Sequence, residues 1–262
     1  MRGYLCLVLH AHLPFVRHPE HDRFLEEHWL YEAMTECYLP LLQLLEKWQK
    51  AGLAARVTFS LTPTLCAMLR DPLLQRRYQR YLDELIELAE KELYRTSWEP
   101  RLRPLAEFYL ERFLATRETY RGWGGDVVHA FRHHQDEGRI EIITSAATHA
   151  LLPLLANHPP SVRAQIHTAR EDYRRCFGRD PEGIWLPECA YYEGLEEVLK
   201  EAGLRWFITE THGLLNARPR PRYGPFAPVY TRAGVAAFAR DQACARQVWS
   251  RDEGYPGDAR YR

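Results

Sequence analysis

Two histidines follow the first apolar run of the sequence, the kind of position where reactive side chains of parallel β/α folds collect. His10 and His12 stand in the segment HAHLP, directly after YLCLVL. Side chains two residues apart on a strand share a face, so both imidazoles would point the same way. Such a pair suits a metal site or hydrogen bonding to a polyhydroxylated substrate, and one of the two could instead be structural. The residues alone leave these roles open.

A second motif, WLPECAYY, places Glu188 one residue after a proline, at the end of an apolar run and between aromatic residues. Sugars present apolar C–H faces and hydroxyl edges, which aromatic rings and carboxylates can bind. A glutamate in this setting can act as the nucleophile in glycoside chemistry, or it could cap a helix or pair with an arginine. Cys189 has no base near it in the sequence, and we interpret it as a small buried residue.

A third carboxylate, Glu141, lies within the apolar run IEII. Burying a carboxylate is costly unless it is paired, so Glu141 should either face inward with a functional role or bond to an arginine. Further polar residues follow the later apolar runs. They are Thr144, Ser145, Thr148 and His149 after the third run, Glu210 and His212 after the fifth, and Arg240 and Asp241 after the sixth.

Six short apolar runs alternate with helical patterns, which predicts an α/β fold with a parallel sheet, either a closed barrel or an open sheet. The predicted strands cover residues 4–9, 56–61, 140–143, 183–186, 205–209 and 235–239. The first is apolar throughout, as expected for a strand buried on both faces. A helix over residues 24–50 should be interrupted at Pro40. Residues 71–125 are predicted as a helical insertion, broken near 98–104, and residues 211–231 as an excursion loop.

Composition excludes several classes of function. A chain of 262 residues with 35 basic and 35 acidic side chains lacks the basic surplus of a nucleic-acid-binding protein. No apolar run approaches the roughly 18–20 residues that span a bilayer, and no signal-peptide cleavage site follows the amino terminus, so a cytoplasmic location is expected. The six scattered cysteines include no CxxC pair, which argues against a disulfide framework or a zinc cage. The simplest nucleotide-binding motifs are absent.

Three motifs, in the order HAHLP, GRIEII and WLPECAY, resemble the first three conserved regions of glycoside hydrolase family 57, in particular of its 1,4-α-glucan branching enzymes. The stretches GVAAFARD and QVWSRDEGYPGD are also similar to that branch of the family, and the resemblance covers the whole chain. It implies a (β/α)7-type parallel barrel with helical insertions, of which residues 1–262 would form a partial catalytic barrel.

The resemblance also implies a retaining mechanism without a metal ion or another cofactor, acting on α-1,4-glucan such as amylose or glycogen. Glu188 would be the nucleophile, and a glucosyl–Glu188 intermediate would pass to the 6-hydroxyl of another chain, which creates an α-1,6 branch. The residues expected to contact the substrate are His10, His12, Glu141, His149, Trp185, Asp241 and Trp249.

Retaining chemistry needs a second carboxyl group about 5–5.5 Å from the nucleophile. In the family this is an aspartate on a later strand, and no segment before Arg262 matches that region or the C-terminal helical domain. We therefore expect a barrel that is incomplete at its C-terminus, with impaired turnover if the chain ends there. The alternatives are an α-amylase or 4-α-glucanotransferase of the same family, a non-catalytic glucan-binding remnant, and a metal-dependent deacetylase or phosphoesterase that uses His10 and His12.

Overall fold

The computed structural model describes residues 3–252 and 254–261, which divide into two compact units. The first unit comprises Met1–Phe59 with Thr64–Glu141, and the second comprises Ser60–Pro63 with Ile142–Arg262. The helices are α1 Glu27–Ala33, α2 Leu39–Lys50, α3 Pro63–Leu69, α4 Pro72–Arg95, α5 Arg103–Gly122, α6 Val127–Asp136, α7 Pro159–Phe177, α8 Leu195–Glu201, α9 Thr211–Leu215 and α10 Gln242–Trp249. No helix among the described residues combines the length and the apolar character needed to cross a bilayer.

Two sheets carry the strands. Strands β1 Val8–Ala11, β2 Val57–Leu61 and β3 Ile140–Ile143 form one sheet in the order β1-β2-β3. The other sheet has the order β4-β5-β7-β6, in which β4–β5 and β5–β7 are parallel and β6–β7 is antiparallel. Its strands are β4 Gly183–Trp185, β5 Trp206–Thr209, β6 Val229–Tyr230 and β7 Ala236–Ala239.

The predicted interruption of the first long helix occurs at a π-helical turn, Met34–Tyr38, between α1 and α2. Pro40 follows this turn within the first two positions of α2 and has no N–H to donate to the turn before it. The wide turn thus lets the chain continue in helical conformation past a residue that would break a regular helix.

Helices α4 and α5 lie in the segment predicted as a helical insertion, and residues 96–102 separate them. The Asp71 carboxylate accepts hydrogen bonds from the amides of Leu73 and Leu74 at 2.9 and 3.0 Å and so caps α4. Asp126 caps α6 as the sequence predicts, because its carboxylate accepts the His129 amide at 2.8 Å.

A buried ion pair joins α1 to α4 in the first unit. Arg77 Nη1 lies 2.6 and 2.8 Å from the two carboxylate oxygens of Glu27, and these side chains are 9% and 1% exposed. Tyr31 donates its hydroxyl to Glu27 at 2.9 Å, and the His18 amide donates to the same carboxylate at 2.9 Å. Arg77 also donates to the backbone carbonyls of His18 and His21, so one side chain fastens the segment before α1.

The second unit is built around β4 and β5 and the helices α7 and α8. Its core includes Ile184, Leu199 and Phe207, all at most 1% exposed. Gly183 opens β4 where a Cβ atom would lie 2.4 Å from the Trp206 ring, so only glycine permits this close pairing of β4 with β5.

Three expectations about the elements are wrong. The first strand begins at Val8, and Tyr4 and Leu5 before it are 97% and 94% exposed. The apolar run shows which residues are hydrophobic, but it does not show whether other parts of the protein cover them. Residues 211–231 are not all loop, since they contain α9 and β6. The strands therefore number seven among the described residues, not six, and β6 is a two-residue antiparallel strand too short to give a period-2 signal.

Replacing Arg77 with alanine should lower the free energy of unfolding by about 3–5 kcal/mol, because it leaves a buried Glu27 carboxylate without its partner. Urea denaturation followed by circular dichroism measures this loss. Arg23→Ala is the matched control: it removes an exposed pair with Glu84 on the same helix α4 and should cost about 0–1 kcal/mol. Equal losses in the two variants would contradict the prediction. Glu27→Leu combined with Arg77→Met should recover part of the loss.

Candidate active site

The carboxyl ends of β4, β5 and β7 meet at one edge of the second unit's sheet. Trp185 of β4 pairs with Ile208 of β5, and Thr209 of β5 pairs with Ala239 of β7. Residue 144, at the end of β3, joins the same edge through a parallel bridge to Ile184. The residues that leave these strands are therefore neighbours in space, as the sequence predicts for a parallel sheet.

A strained turn carries Glu188 away from the end of β4. The residues Pro187–Cys189 form a 3₁₀ turn in which Glu188 and Cys189 both have φ +54°. Together with His149 at φ +55°, Glu188 and Cys189 make up the three non-glycine residues with positive φ in the described part of the chain. This region costs about 1–2 kcal/mol per residue for L-amino acids, and such conformations persist where the surroundings impose them, often at functional sites.

Hydrogen bonds from β5 impose this turn. The Cys189 carbonyl accepts from Thr209 Oγ1 at 3.1 Å and from the Glu210 amide at 3.3 Å, and the Cys189 amide donates to the Leu186 carbonyl at 2.7 Å. As a result the Glu188 side chain is 77% exposed while Cys189 is 2% exposed. Its 2% exposure confirms the interpretation of Cys189 as a small buried residue. Burial also raises the pKa of its thiol to about 12, which keeps the thiol protonated.

His149 faces Glu188 from the loop after β3. Its Nε2 atom lies 3.8 Å from Glu188 Oε1, and its side chain is 6% exposed. On the other side of the ring, Nδ1 lies 3.0 Å from Ser145 Oγ, which donates to the Trp185 carbonyl at 2.8 Å. The structure thus brings together three of the predicted site residues: His149 faces Glu188 on one side and is joined to the Trp185 carbonyl through the Ser145 hydroxyl on the other.

A second carboxylate at the same edge is already paired. Glu210 Oε1 lies 2.9 Å from Nη2 of Arg240, the residue that follows β7, and both side chains are 26% exposed. The Arg240 amide donates to the Thr209 carbonyl at 3.0 Å, which holds the arginine at the end of β5. The Glu210–Arg240 pair is therefore held in place near the Glu188 turn and carries no net charge.

Asp241 and Trp249 stand at the two ends of α10, a helix that the sequence pattern does not predict. The Asp241 carboxylate accepts the Cys244 amide at 2.8 Å and caps the helix, and this bond lowers the pKa of Asp241. Trp249 is the last residue of α10 and is 61% exposed. Contact of these two residues with a substrate stays a prediction.

His10, His12 and Glu141 belong to the first unit. The two imidazoles stack with ring centroids 6.1 Å apart and planes 19° apart, so they share a face of the chain as predicted. Glu141 is exposed and accepts a hydrogen bond from Thr58 Oγ1 at 3.2 Å. The expectation of a buried carboxylate is wrong, because Glu141 points to the open face of β3 while Ile140 and Ile142 are buried.

Potential metal ligands do not cluster in the described ranges 3–252 and 254–261. No group of three or more histidine, cysteine, aspartate or glutamate side chains there has the geometry to hold a metal ion. The predicted pair of His10 and His12 is thus not joined by a third such ligand within this part of the chain.

Comparison with known proteins decides the family. The sequence profile of glycosyl hydrolase family 57 matches residues 6–262. The chain belongs to this family. A family 57 relative, the 1,4-alpha-glucan branching enzyme of Thermococcus kodakarensis, is 34% identical over 290 aligned positions, which cover 100% of this chain and 42% of that enzyme. The resemblance inferred from the three motifs is confirmed.

Two solved structures of similar proteins give the fold. The alpha-amylase AmyC from Thermotoga maritima superposes with a TM-score of 0.95 at 44% identity and covers 100% of this chain and 50% of AmyC. The family 57 branching enzyme from Pyrococcus horikoshii superposes with a TM-score of 0.88 at 37% identity, covering 98% of this chain and 50% of that enzyme. These structures confirm the predicted α/β class of the (β/α)7 type. The chain spans about half the length of the relatives it matches.

Sequence patterns do not indicate the residues that hold the site in place. Ser145 and Glu210 stand out only as polar residues after predicted strands, and no motif gives a role to Thr209 or to Gln165 of α7. Gln165 pins the loop that carries His149: its side chain bonds the Thr148 amide and hydroxyl at 2.9 and 2.8 Å, and its carbonyl accepts the Ala147 amide at 3.0 Å. A polar residue within an amphipathic helix was the one signal that could have indicated this role.

Replacing Glu188 with glycine should raise the free energy of unfolding by about 0.5–1 kcal/mol. Relief of the left-handed backbone is worth about 1–2 kcal/mol, and the extra freedom of glycine in the unfolded chain subtracts about 0.4–1 kcal/mol. Glu188→Ala keeps the strain and should give no such gain. Glu193→Gly, at an exposed position without positive φ, should destabilise. Urea denaturation measures all three, and a loss on Glu188→Gly equal to that of Glu193→Gly would refute strain at residue 188.

Proposed function

We propose that this chain carries the nucleophile side of an active site that acts on α-1,4-glucan, and that its reaction is the transfer of a glucan segment to a 6-hydroxyl group, as in 1,4-α-glucan branching enzymes. The observation that supports this most is the Glu188 carboxylate, exposed on a strained and rigidly held turn at the carboxyl end of a β-strand. Membership in family 57 and similarity to branching enzymes support α-glucan as the class of substrate.

In the proposed reaction, a Glu188 oxygen attacks the anomeric carbon of an α-1,4-linked glucose. The bond from that carbon to the glycosidic oxygen breaks, and the departing 4-oxygen gains a proton from an acid. The 6-hydroxyl of an acceptor chain then attacks the ester and loses its proton to the same group, and Glu188 leaves as a carboxylate. His149, Trp185 and Trp249 would contact the sugar. Contact of His10, His12, Glu141 and Asp241 with the substrate stays a prediction from the sequence.

The acid that protonates the 4-oxygen is not one of the two carboxylates near the end of β7. Glu210 is engaged by Arg240 at 2.9 Å. Asp241 caps α10, and the hydrogen bond from the Cys244 amide lowers its pKa, which disfavours the protonated form that a general acid needs. We expect an aspartate outside this chain's matched motifs to fill this role. Glycogen as the natural polymer and a cytoplasmic location also remain predictions from the sequence.

An α-amylase activity is the second candidate. It is favoured by the 44% identity and the TM-score of 0.95 with the alpha-amylase AmyC, both higher than the values for the branching enzyme from Pyrococcus horikoshii. The two reactions share the glucosyl–Glu188 intermediate and differ in the acceptor, which is water in hydrolysis and a sugar hydroxyl in branching.

The nucleophile can be tested without the acid, because fluoride leaves an anomeric carbon without protonation. We expect a 5-fluoro-α-glucosyl fluoride to esterify Glu188 and fluoride ion to be released. Mass spectrometry of the intact protein and of its peptic peptides would show one added fluoroglucosyl group on the peptide that contains Glu188. Glu188→Gln should remain unlabelled. Glu193→Gln, which changes an exposed glutamate five residues away, should label like the wild type, and labelling at any other carboxylate would refute the assignment.

The acceptor can be tested with an α-maltotriosyl fluoride as donor, because its fluoride leaves without protonation, and amylose as acceptor, with the products analysed by proton NMR. Branching should produce α-1,6 anomeric signals without a matching increase in reducing ends. Reducing ends that grow without α-1,6 signals would replace branching with hydrolysis. Transfer to new α-1,4 linkages alone would indicate a 4-α-glucanotransferase.

A further inference from the structure

The hydroxyl of Ser145 has one hydrogen and two partners. It lies 2.8 Å from the Trp185 carbonyl oxygen, which can only accept, and 3.0 Å from His149 Nδ1. Both contacts are hydrogen bonds only if the hydroxyl donates to Trp185 and Nδ1 carries the proton that it donates to Ser145. In the opposite tautomer Nδ1 and the Trp185 carbonyl are both acceptors, so the single hydroxyl hydrogen leaves two lone pairs facing each other at one of these contacts.

This choice at Nδ1 decides what His149 presents to Glu188. In a neutral ring with the proton on Nδ1, the Nε2 atom has a lone pair and can accept a hydrogen bond. That atom lies 3.8 Å from Glu188 Oε1, which is beyond a direct hydrogen bond. A sugar hydroxyl placed beside Nε2 could donate its hydrogen to that atom.

The surroundings hold this arrangement rigidly. Ser145 is fully buried, and the ring of His149 is 6% exposed. The turn that carries His149 closes through its amide to the Ala146 carbonyl at 2.9 Å, and Gln165 fixes the two residues before it. The imidazole therefore has a fixed direction, and only its tautomer remains to be set.

We propose that Ser145 is a positioning residue, which fixes His149 as the Nδ1–H tautomer so that Nε2 accepts a hydrogen bond from a hydroxyl group of the sugar that reacts with Glu188. The inference rests on the proposed function of Glu188. Ser145 does not touch the sugar in this arrangement and acts through the imidazole alone, while the Trp185 carbonyl at the end of β4 anchors the serine.

Long-range proton–nitrogen NMR of the chain labelled with ¹⁵N-histidine tests the tautomer directly. The resonances of His149 are those lost in His149→Asn, a residue that tolerates positive φ. At a pH where the same spectra show the ring to be neutral, the wild type should carry the proton on Nδ1. Ser145→Ala should shift the ring toward the Nε2–H form. A wild-type ring with its proton on Nε2 would overturn the proposal.

A matched serine–histidine pair provides the control. Ser161 Oγ lies 2.8 Å from His158 Nδ1 in an exposed position at the start of α7. Ser161→Ala should change the spectrum of His158 and leave that of His149 as in the wild type. A His149 spectrum altered equally by Ser161→Ala would overturn the specific role of Ser145.

The rate of Glu188 labelling by the 5-fluoro-α-glucosyl fluoride supplies the functional readout. Ser145→Ala should slow the bond-forming step roughly 10- to 100-fold, the loss seen when the outer hydrogen-bond partners of metal-bound histidines are removed, with little change in reagent affinity. Unchanged labelling in a variant whose tautomer has shifted would overturn the proposal. Absence of labelling at Glu188 in the wild type, with the tautomer as expected, would instead refute the proposed function on which the inference rests.

Discussion

The candidate site depends on the hydrogen bonds that hold one peptide carbonyl, that of Cys189. Thr209 and Glu210, at the end of β5, both donate to it. With this carbonyl fixed, the chain that leaves β4 must turn through two left-handed residues, which exposes the Glu188 carboxylate and buries the Cys189 thiol. The parallel pairing of β4 and β5 therefore determines the direction of the carboxylate, and the strain in the turn is offset by bonds made elsewhere in the sheet.

The two sides of the carboxylate are organised by different means. On one side, Arg240 after β7 and Glu210 after β5 form an ion pair and neutralise each other. On the other, an imidazole is held by a buried serine and a loop pinned to α7. Neither the Glu210–Arg240 pair nor the Ser145–His149 contact involves Glu188. The surroundings of the carboxylate are therefore organised before a substrate binds, as efficient catalysis requires.

Sequence patterns predict the strands that carry the chemistry well. The bounds of β3 match, and those of β4, β5 and β7 differ by one residue, because each is an apolar run closed by a glycine, a proline or a polar residue. The left-handed turn was not predictable, since Pro-Glu-Cys lacks the glycine or asparagine that signals positive φ. The role of Ser145 was also hidden, because its acceptor at Trp185 lies 40 residues away in the chain.

The left-handed backbone at residues 149, 188 and 189 also bears on how the gene can change over time. At each of these places a glycine or asparagine would suit the backbone better than the residue present. Selection for folding alone would therefore favour their replacement, so their presence in this chain points to a constraint from the site itself. In a duplicated copy released from that demand, these three positions should drift before buried apolar ones such as Phe207, so they would distinguish a working gene from a decaying one.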